Sequence, residues 1–186
     1  MSPKIAASAS TMAAKSRVNL SASYAGGAVV TLHVGDETTH VAAGTGPAPA
    51  VQFTLPLGAR RTGTGEFRHD PPTPGEMELA IMTVEDEVMP LARQLPAGAT
   101  LYTADAGIRQ IAHIAGLADA PQMRLPLDDV ERVYNLLAAV ALGRPASISG
   151  VRTDPPFAAT LTLLREFMHH LGFGAVVILP PDGQPG

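Results

Sequence analysis

Five residues, Thr103-Ala104-Asp105-Ala106-Gly107, stand directly before a segment whose apolar positions Ile108, Ile111, Ala112 and Ala115 fall on one helical face. A turn of small residues that opens a helix can hold an anion, because the first N–H groups lack partners in the helix and its dipole is positive there. Asp105 brings its own negative charge to that point. Its repulsion of a phosphate about 4 Å away would be on the order of 1 kcal/mol in water and about 4 kcal/mol at an effective dielectric of 20. The expected role of Asp105 is therefore to cap the helix. Arg60 and Arg61, followed by Glu66, are the densest basic pair. They could meet an anion across a cleft, but taken alone they read as a solvated basic turn.

Other residue types with chemical potential do not assemble into a motif. The six histidines include no H-E-x-x-H spacing, and His169 and His170 project about 100° apart on a helix instead of converging on one ion. His33 and His40 could face each other across adjacent strands, depending on register. Glu85, Asp86 and Glu87 read as a solvated acidic face, with a magnesium site as the minor alternative. No serine lies in a G-x-S-x-G elbow, so a Ser-His-Asp hydrolase has no support. Gly44-Thr45-Gly46 and Thr62-Gly63-Thr64-Gly65 lack the lysine and helix of a phosphate-binding Walker loop and read as mobile hairpin tips. No metal site is expected.

The elements that would position these residues follow from composition and periodicity. The chain has 186 residues, 46% hydrophobic and 16% charged, enough for one full core and one domain. A net charge of −4 with neither sign run together gives no basis for capturing nucleic acid or an acidic membrane surface. With no cysteine, disulfides and thiol chemistry are excluded, which is compatible with a cytoplasmic location. No apolar run approaches the roughly 18 residues that a membrane-spanning helix requires. Residues 1–16, rich in Ala and Ser, read as a flexible tail in preference to a signal peptide, and 184–186 as a short C-terminal tail.

Between these ends, Arg17 to Ala22 and Ala28 to Val34 read as a β-hairpin around Ala25-Gly26-Gly27, with a weaker strand at Thr39 to Ala42. Val51, Phe53 and Leu55 alternate with polar residues, so at least three sequential strands precede any helix. Thr73, Pro74 and Glu76 form a helix start with a capping box. Met77, Ile81, Val84, Val88, Leu91 and Leu95 continue one stripe, which Pro90 should break near Met89. Leu101 to Thr103 forms the next strand. Asp128 with Glu131 is expected to cap a helix that stops at Gly143, Asp154-Pro155 to start another that ends at Gly172, and Ala175 to Leu179 to be a buried strand. The order βββαβα, two helices with a linker, then β, is that of a ribonuclease-H-like or actin-like α/β domain with a mixed sheet and helices packed on it.

The stretches VQFTLPLGARRTGTGEF, DPPTPGE and LPAGATLYTADAGIRQIAHIAG, followed by VERVYNLLAAVALGRPASISGV, LREFMHHLGF and AVVILPPDG, resemble in order and spacing the second actin-like domain of the exopolyphosphatase / guanosine pentaphosphate phosphatase family. The resemblance runs from Arg17 to Gly183, and the expected domain covers 17–183. It implies a first phosphate loop like D-I-G-G-G-S-T-E, which falls on Asn19-Leu20-Ser21-Ala22-Ser23-Tyr24-Ala25-Gly26. There the core glycines have acquired side chains, which penalise positive φ and block close backbone approach to phosphate. Ser21, Ser23 and Tyr24 could instead line a hydroxyl pocket, but an ordinary strand and turn is the preferred reading. The family's second loop, like G-T-G-G-T, falls on Thr103 to Gly107 with Asp105 inside it. The family's R-A-D turn is echoed by Arg152-Thr153-Asp154, with Asp154 better read as a helix cap than as a metal ligand.

The resemblance further implies that substrate lies between two such domains, with the other supplying a phosphate loop and a carboxylate. In-line attack on phosphate needs charge neutralisation from both sides, normally with a divalent ion. The expectation is a phosphatase-related domain without catalytic residues or cofactor of its own, acting by binding or association, with homodimerisation through the face left by the missing partner. The alternative is a magnesium-dependent hydrolase of polyphosphate or guanosine pentaphosphate whose cleft a second copy or separate chain completes.

Overall fold

The computed structural model describes residues 27–46 and 48–180. Strand β1 (Val29–Val34) has four consecutive buried residues, Val29 to Leu32, as a strand covered on both faces requires. Strands β2 (Thr39–Gly44) and β3 (Val51–Leu55) extend the sheet by two antiparallel pairings, which set Leu32 opposite Val41 and Val41 opposite Phe53. On the other side β4 (Thr100–Thr103) runs parallel to β1 and to β6 (Ala175–Ile178). Strand β5 (Met123–Pro126) closes that edge antiparallel to β6, so the six-stranded order is β3-β2-β1-β4-β6-β5. The mixed α/β sheet matches the expectation. The edge strand β5 was not anticipated, because four residues leading straight into a helix carry too little alternation to register as a strand. The expected strand at Arg17 to Ala22 lies outside the described residues.

Helix α1 spans Ala59–Glu66, α2 Pro74–Val88, α3 Ala106–Ile114, α4 Leu127–Ala141, α5 Ala146–Ser149 and α6 Pro155–Leu171. The capping box on α2 forms as expected: Glu76 N–H donates to Thr73 Oγ1 at 3.3 Å, and Thr73 N–H donates to Glu76 Oε2 at 2.8 Å. The α-helix stops at Val88 and tightens into a 3-10 turn, Met89–Arg93, where Pro90 lacks the N–H to continue it. At α6, Asp154 Oδ1 accepts the Phe157 N–H at 3.2 Å, and Gly172 closes the helix with φ 74°.

Helix α6 buries every residue from Phe157 to Leu164, then Phe167 and Met168. Burial on nearly every side, which takes in Thr160, Thr162 and Glu166 along with the apolar residues, marks a helix that lies inside the protein, and α1, α2, α3 and α4 all pack against it. Cutting one of its fully buried side chains, Leu164, to alanine should cost about 2–5 kcal/mol.

Two local expectations are corrected. The stretch from Arg60 to Gly65, read as a basic turn and a hairpin tip, is helical. Its glycines argue against a helix locally, but a Cβ on Gly63 would sit 3.0 Å from the Pro155 carbonyl carbon. The glycine is what lets α1 approach α6. Asp128 does not cap α4: Pro126 holds the N-cap position, and Asp128 and Asp129 lie in the first turn, where the dipole favours them. The expected linker before α6 contains the short helix α5. No helix among the described residues is long and apolar enough to cross a membrane.

Candidate functional site

The carboxyl-terminal ends of β1 and β4 lie side by side, and the turn Gly35–Thr38 and the start of α3 meet there. Strand alternation sends Leu32 to the core and His33 to the opposite face, where the register sets it against His40. The two imidazole rings stack with centroids 6.2 Å apart. Behind them, His40 meets Thr38 Oγ1 through Nε2 and Thr54 Oγ1 through Nδ1, both at 3.2 Å.

The Gly35–Thr38 turn is fixed from beneath by α1. The N–H of Ala59 donates to Gly35 O at 2.9 Å, and those of Arg60 and Arg61 to Asp36 O at 3.0 and 2.9 Å. These are N–H groups that an α-helix leaves without internal partners, and here the turn's carbonyls occupy them. Gly58 is required at this junction, since a Cβ there would fall 2.3 Å from Asp36 O. The Arg60 guanidinium folds back onto the Glu37 carboxylate.

Asp105 stands at the N-cap position of α3, but its side chain bonds no N–H of that helix, which corrects the expected capping role. It reaches across to β1: Oδ1 lies 2.6 Å from His33 Nδ1, and Oδ2 accepts the Val34 N–H at 2.7 Å. Its own N–H donates to Thr103 Oγ1 at 3.2 Å. The hydrogen bond that His33 donates to Asp105 raises the His33 pKa, burial opposes the rise, and the charge of Asp105 adds to it. Burial lowers the His40 pKa, and the neighbouring His33 lowers it further.

Of the residues singled out in the sequence, the fold brings Thr103, Asp105, Arg60 and Arg61 to this one end of the sheet. Gly107 lies inside α3, where a Cβ would only touch Thr160 Cγ2 at 3.5 Å; ordinary contact of this kind does not demand glycine. Arg61 also lines a surface hollow of about 330 Å³ with Leu57, Glu66 and Glu87. A second hollow lies between Ala43 and Pro96, and neither is lined by His33 or Asp105. Asn19, Ser21, Ser23 and Tyr24 lie outside the described residues. Sequence reasoning allowed that His33 and His40 could face each other, as they do, but missed the bond from His33 to Asp105, the Gly35–Thr38 turn and Gly58. The signal that could have found them is the short HVGDETTH link between two valine-rich strands, since the turn after a central strand lies at the end of the sheet where α/β folds place their sites.

This set of residues does not suit magnesium. That ion takes carboxylate oxygens and waters in near-octahedral array, whereas both Asp105 oxygens are held by protein donors and Glu37 pairs with Arg60. Asp105 puts a carboxylate beside the start of α3, and Glu37, paired with Arg60, puts another on the turn above α1.

No protein-family model matches the chain, and no curated protein matches it. Solved structures do. An Aquifex aeolicus member of the Ppx/GppA protein family superposes with a TM-score of 0.72 at 15% identity, over 90% of this chain and 58% of that one. The Aquifex aeolicus PPX-GPPA enzyme gives 0.68 at 16%, over 83% and 54%. An exopolyphosphatase from Cytophaga hutchinsonii gives 0.65 at 13%, over 90% and 56%. The chain spans little more than half the length of these neighbours. It thus has the mixed α/β, actin-like fold of a single domain-sized part of the Ppx/GppA proteins, as the sequence resemblance implied.

Proposed function

We propose that this chain is a Ppx/GppA-like domain that does not hydrolyse phosphoanhydrides by itself and acts by binding or association. The observation that carries the reading is the Asp105 carboxylate, held between His33 and the Val34 N–H at the mouth of α3. An anion arriving there meets a fixed negative charge at the helix end that would otherwise attract it. The second helix N-terminus nearby, that of α1, already serves the turn's carbonyls. In place of the Asn19–Gly26 position that the resemblance implied, we place the phosphate-loop position of the fold at Gly35–Thr38, because this turn joins the central strand to its antiparallel neighbour. Its Asp36 and Glu37 stand where a phosphate cradle needs backbone N–H groups and no charge. A cytoplasmic, cysteine-free chain that pairs with a second copy or a separate partner is the setting this reading favours.

The test is phosphate release from polyphosphate and from guanosine pentaphosphate by the purified chain with magnesium, alongside light scattering across a dilution series. Release at the level of the buffer blank, with a dimer that dissociates on dilution, is expected. Magnesium-dependent release that His33→Ala or Asp105→Ala abolishes would replace this reading with a hydrolase whose cleft a second copy completes.

A further inference from the structure

Three potential metal donors converge away from the sheet-end site, where α2 packs on α6. Glu166 and His170 are one turn apart on α6, so their side chains share a face, and Glu85 reaches them from α2. His170 Nε2 lies 2.8 Å from Glu85 Oε1 and 3.2 Å from Glu166 Oε2. One ligand atom from each of the three residues lies within 4.8 Å of the others. Two donors bound about 2.0–2.1 Å from a tetrahedral zinc ion are about 3.3 Å apart, close to the Glu166–His170 separation. Glu85 Oε1 stands closer to His170 Nε2, at 2.8 Å, and must draw back to match, which a side chain 33% exposed is able to do.

The surroundings add an independent reason. Glu166 is only 1% exposed, and a buried carboxylate requires nearby positive charge. Arg165 supplies one guanidinium, but it is shared, with Nη1 on Glu166 Oε1 and Nε on Glu131 Oε2 at 2.8 Å. Glu131 and Glu166 thus share one permanent cation, while Glu85 joins Glu166 at His170 Nε2. His169 Nδ1 stands 4.0 Å from Glu131 Oε1, off to the side of the cluster. A cation bound among Glu85, Glu166 and His170 would place positive charge directly beside the buried Glu166 carboxylate. Arg165 is itself held by the Tyr134 ring, 4.7 Å from the centroid, so it fixes the Glu166 carboxylate in orientation, as outer partners of metal ligands do.

We propose that Glu85, Glu166 and His170 form a zinc site that fastens α2 to α6. One imidazole nitrogen with two carboxylate oxygens suits zinc better than magnesium, which seldom takes nitrogen. Three protein ligands leave the fourth position to water, on the side where Glu85 and His170 reach the surface.

The experiment uses the full chain, stripped with a chelator that is then removed, and follows thermal melting with added zinc chloride and the visible absorption of added cobalt(II). Zinc should raise the melting temperature of the parent and of His169→Gln, an exposed neighbour. The rise should vanish in His170→Gln and Glu85→Gln, both of which keep the buried Glu166–Arg165 pair and so should fold. Zinc affinity in these two should fall by about 100-fold or more, beyond the 10–100-fold typical of losing an outer-shell partner. Four-coordinate cobalt bands should appear in the parent and disappear in His170→Gln. No zinc-dependent rise in the parent, an equal rise in His170→Gln, or an equal rise with magnesium overturns the proposal.

Discussion

His33 Nδ1 lies 2.6 Å from Asp105 Oδ1, while the other oxygen of the same carboxylate accepts the Val34 N–H at 2.7 Å. One side chain therefore ties the end of the central strand to the start of the helix after β4, across 72 residues of sequence. It also explains why a residue placed at an N-cap does not cap. A carboxylate that makes two strong bonds to a neighbouring strand gains more than it would from one helix N–H.

This pairing sets a pH dependence. The pKa of His33 is raised in the folded protein above its ordinary 6.5, so its contribution is complete below about pH 6.5 and is lost as pH rises through the raised value. His33→Gln should therefore destabilise the protein more near pH 5.5 than near pH 8.5, by chemical denaturation at each pH. Equal losses at both would sink the assignment. In the same variant His40 should titrate higher in an NMR titration, part of the way to its ordinary value. Burial, the larger cause of its depression, remains.

Gly58 and Gly65 offer a paired test of the turn. A Cβ at Gly58 would lie 2.3 Å from Asp36 O, while one at Gly65 meets nothing within 4 Å. Gly58→Ala must push the turn off the N-terminus of α1 and should cost about 1–3 kcal/mol, the range for forced overpacking. Gly65→Ala, in the open part of a helix, should gain about 0.5–1 kcal/mol. Urea midpoints that move the same way in both variants would refute the contact.

How far the sequence foretold the molecule can be judged from these positions. Thr73, Pro90, Asp154, Gly143 and Gly172 act where local chemistry places them, because caps, breaks and left-handed ends are decided within one turn of helix. The helix around Gly63 and the strand at Met123 were not legible, since both depend on a partner far along the chain: the Pro155 backbone for one and β6 for the other. The site was half legible. Asp105 and Arg60 stood out by charge and position, whereas His33 and the Gly35–Thr38 turn gain meaning only once strand order makes β1 central.

Acid should act through Glu76. Burial alone would raise its pKa, but the Thr73 N–H, His69, the Arg68 N–H and the Thr73 hydroxyl together outweigh that and bring it down to about 2. A lowered carboxylate contributes fully above its unfolded value of 4.5 and loses that contribution as pH falls to about 2. Glu76→Gln should flatten the fall in stability between these limits, and Thr73→Ala should cost about 1 kcal/mol at neutral pH. An unchanged acid profile in Glu76→Gln would count against the capping box as its source.

Arg109 ties two distant stretches of the chain together. Its Nη1 donates to Asp119 Oδ1 at 2.7 Å and to Ala120 O at 3.0 Å, and its Nη2 to Pro121 O at 3.4 Å and Leu179 O at 3.3 Å. One guanidinium on α3 thus anchors both the chain entering β5 and the chain leaving β6. A lysine ammonium is a point charge without the planar fork and cannot hold both segments at once. Arg109→Lys should cost about 1.5–3 kcal/mol, the range for hydrogen bonds to a charged group. The loss should be local: amides of β5 should exchange with deuterium faster, while those of the β1–β2 hairpin should not change, because an edge strand of four residues has few other ties. Uniform acceleration across the sheet would mean that Arg109 supports the whole domain, and no acceleration at β5 would mean that the pairing with β6 suffices without it.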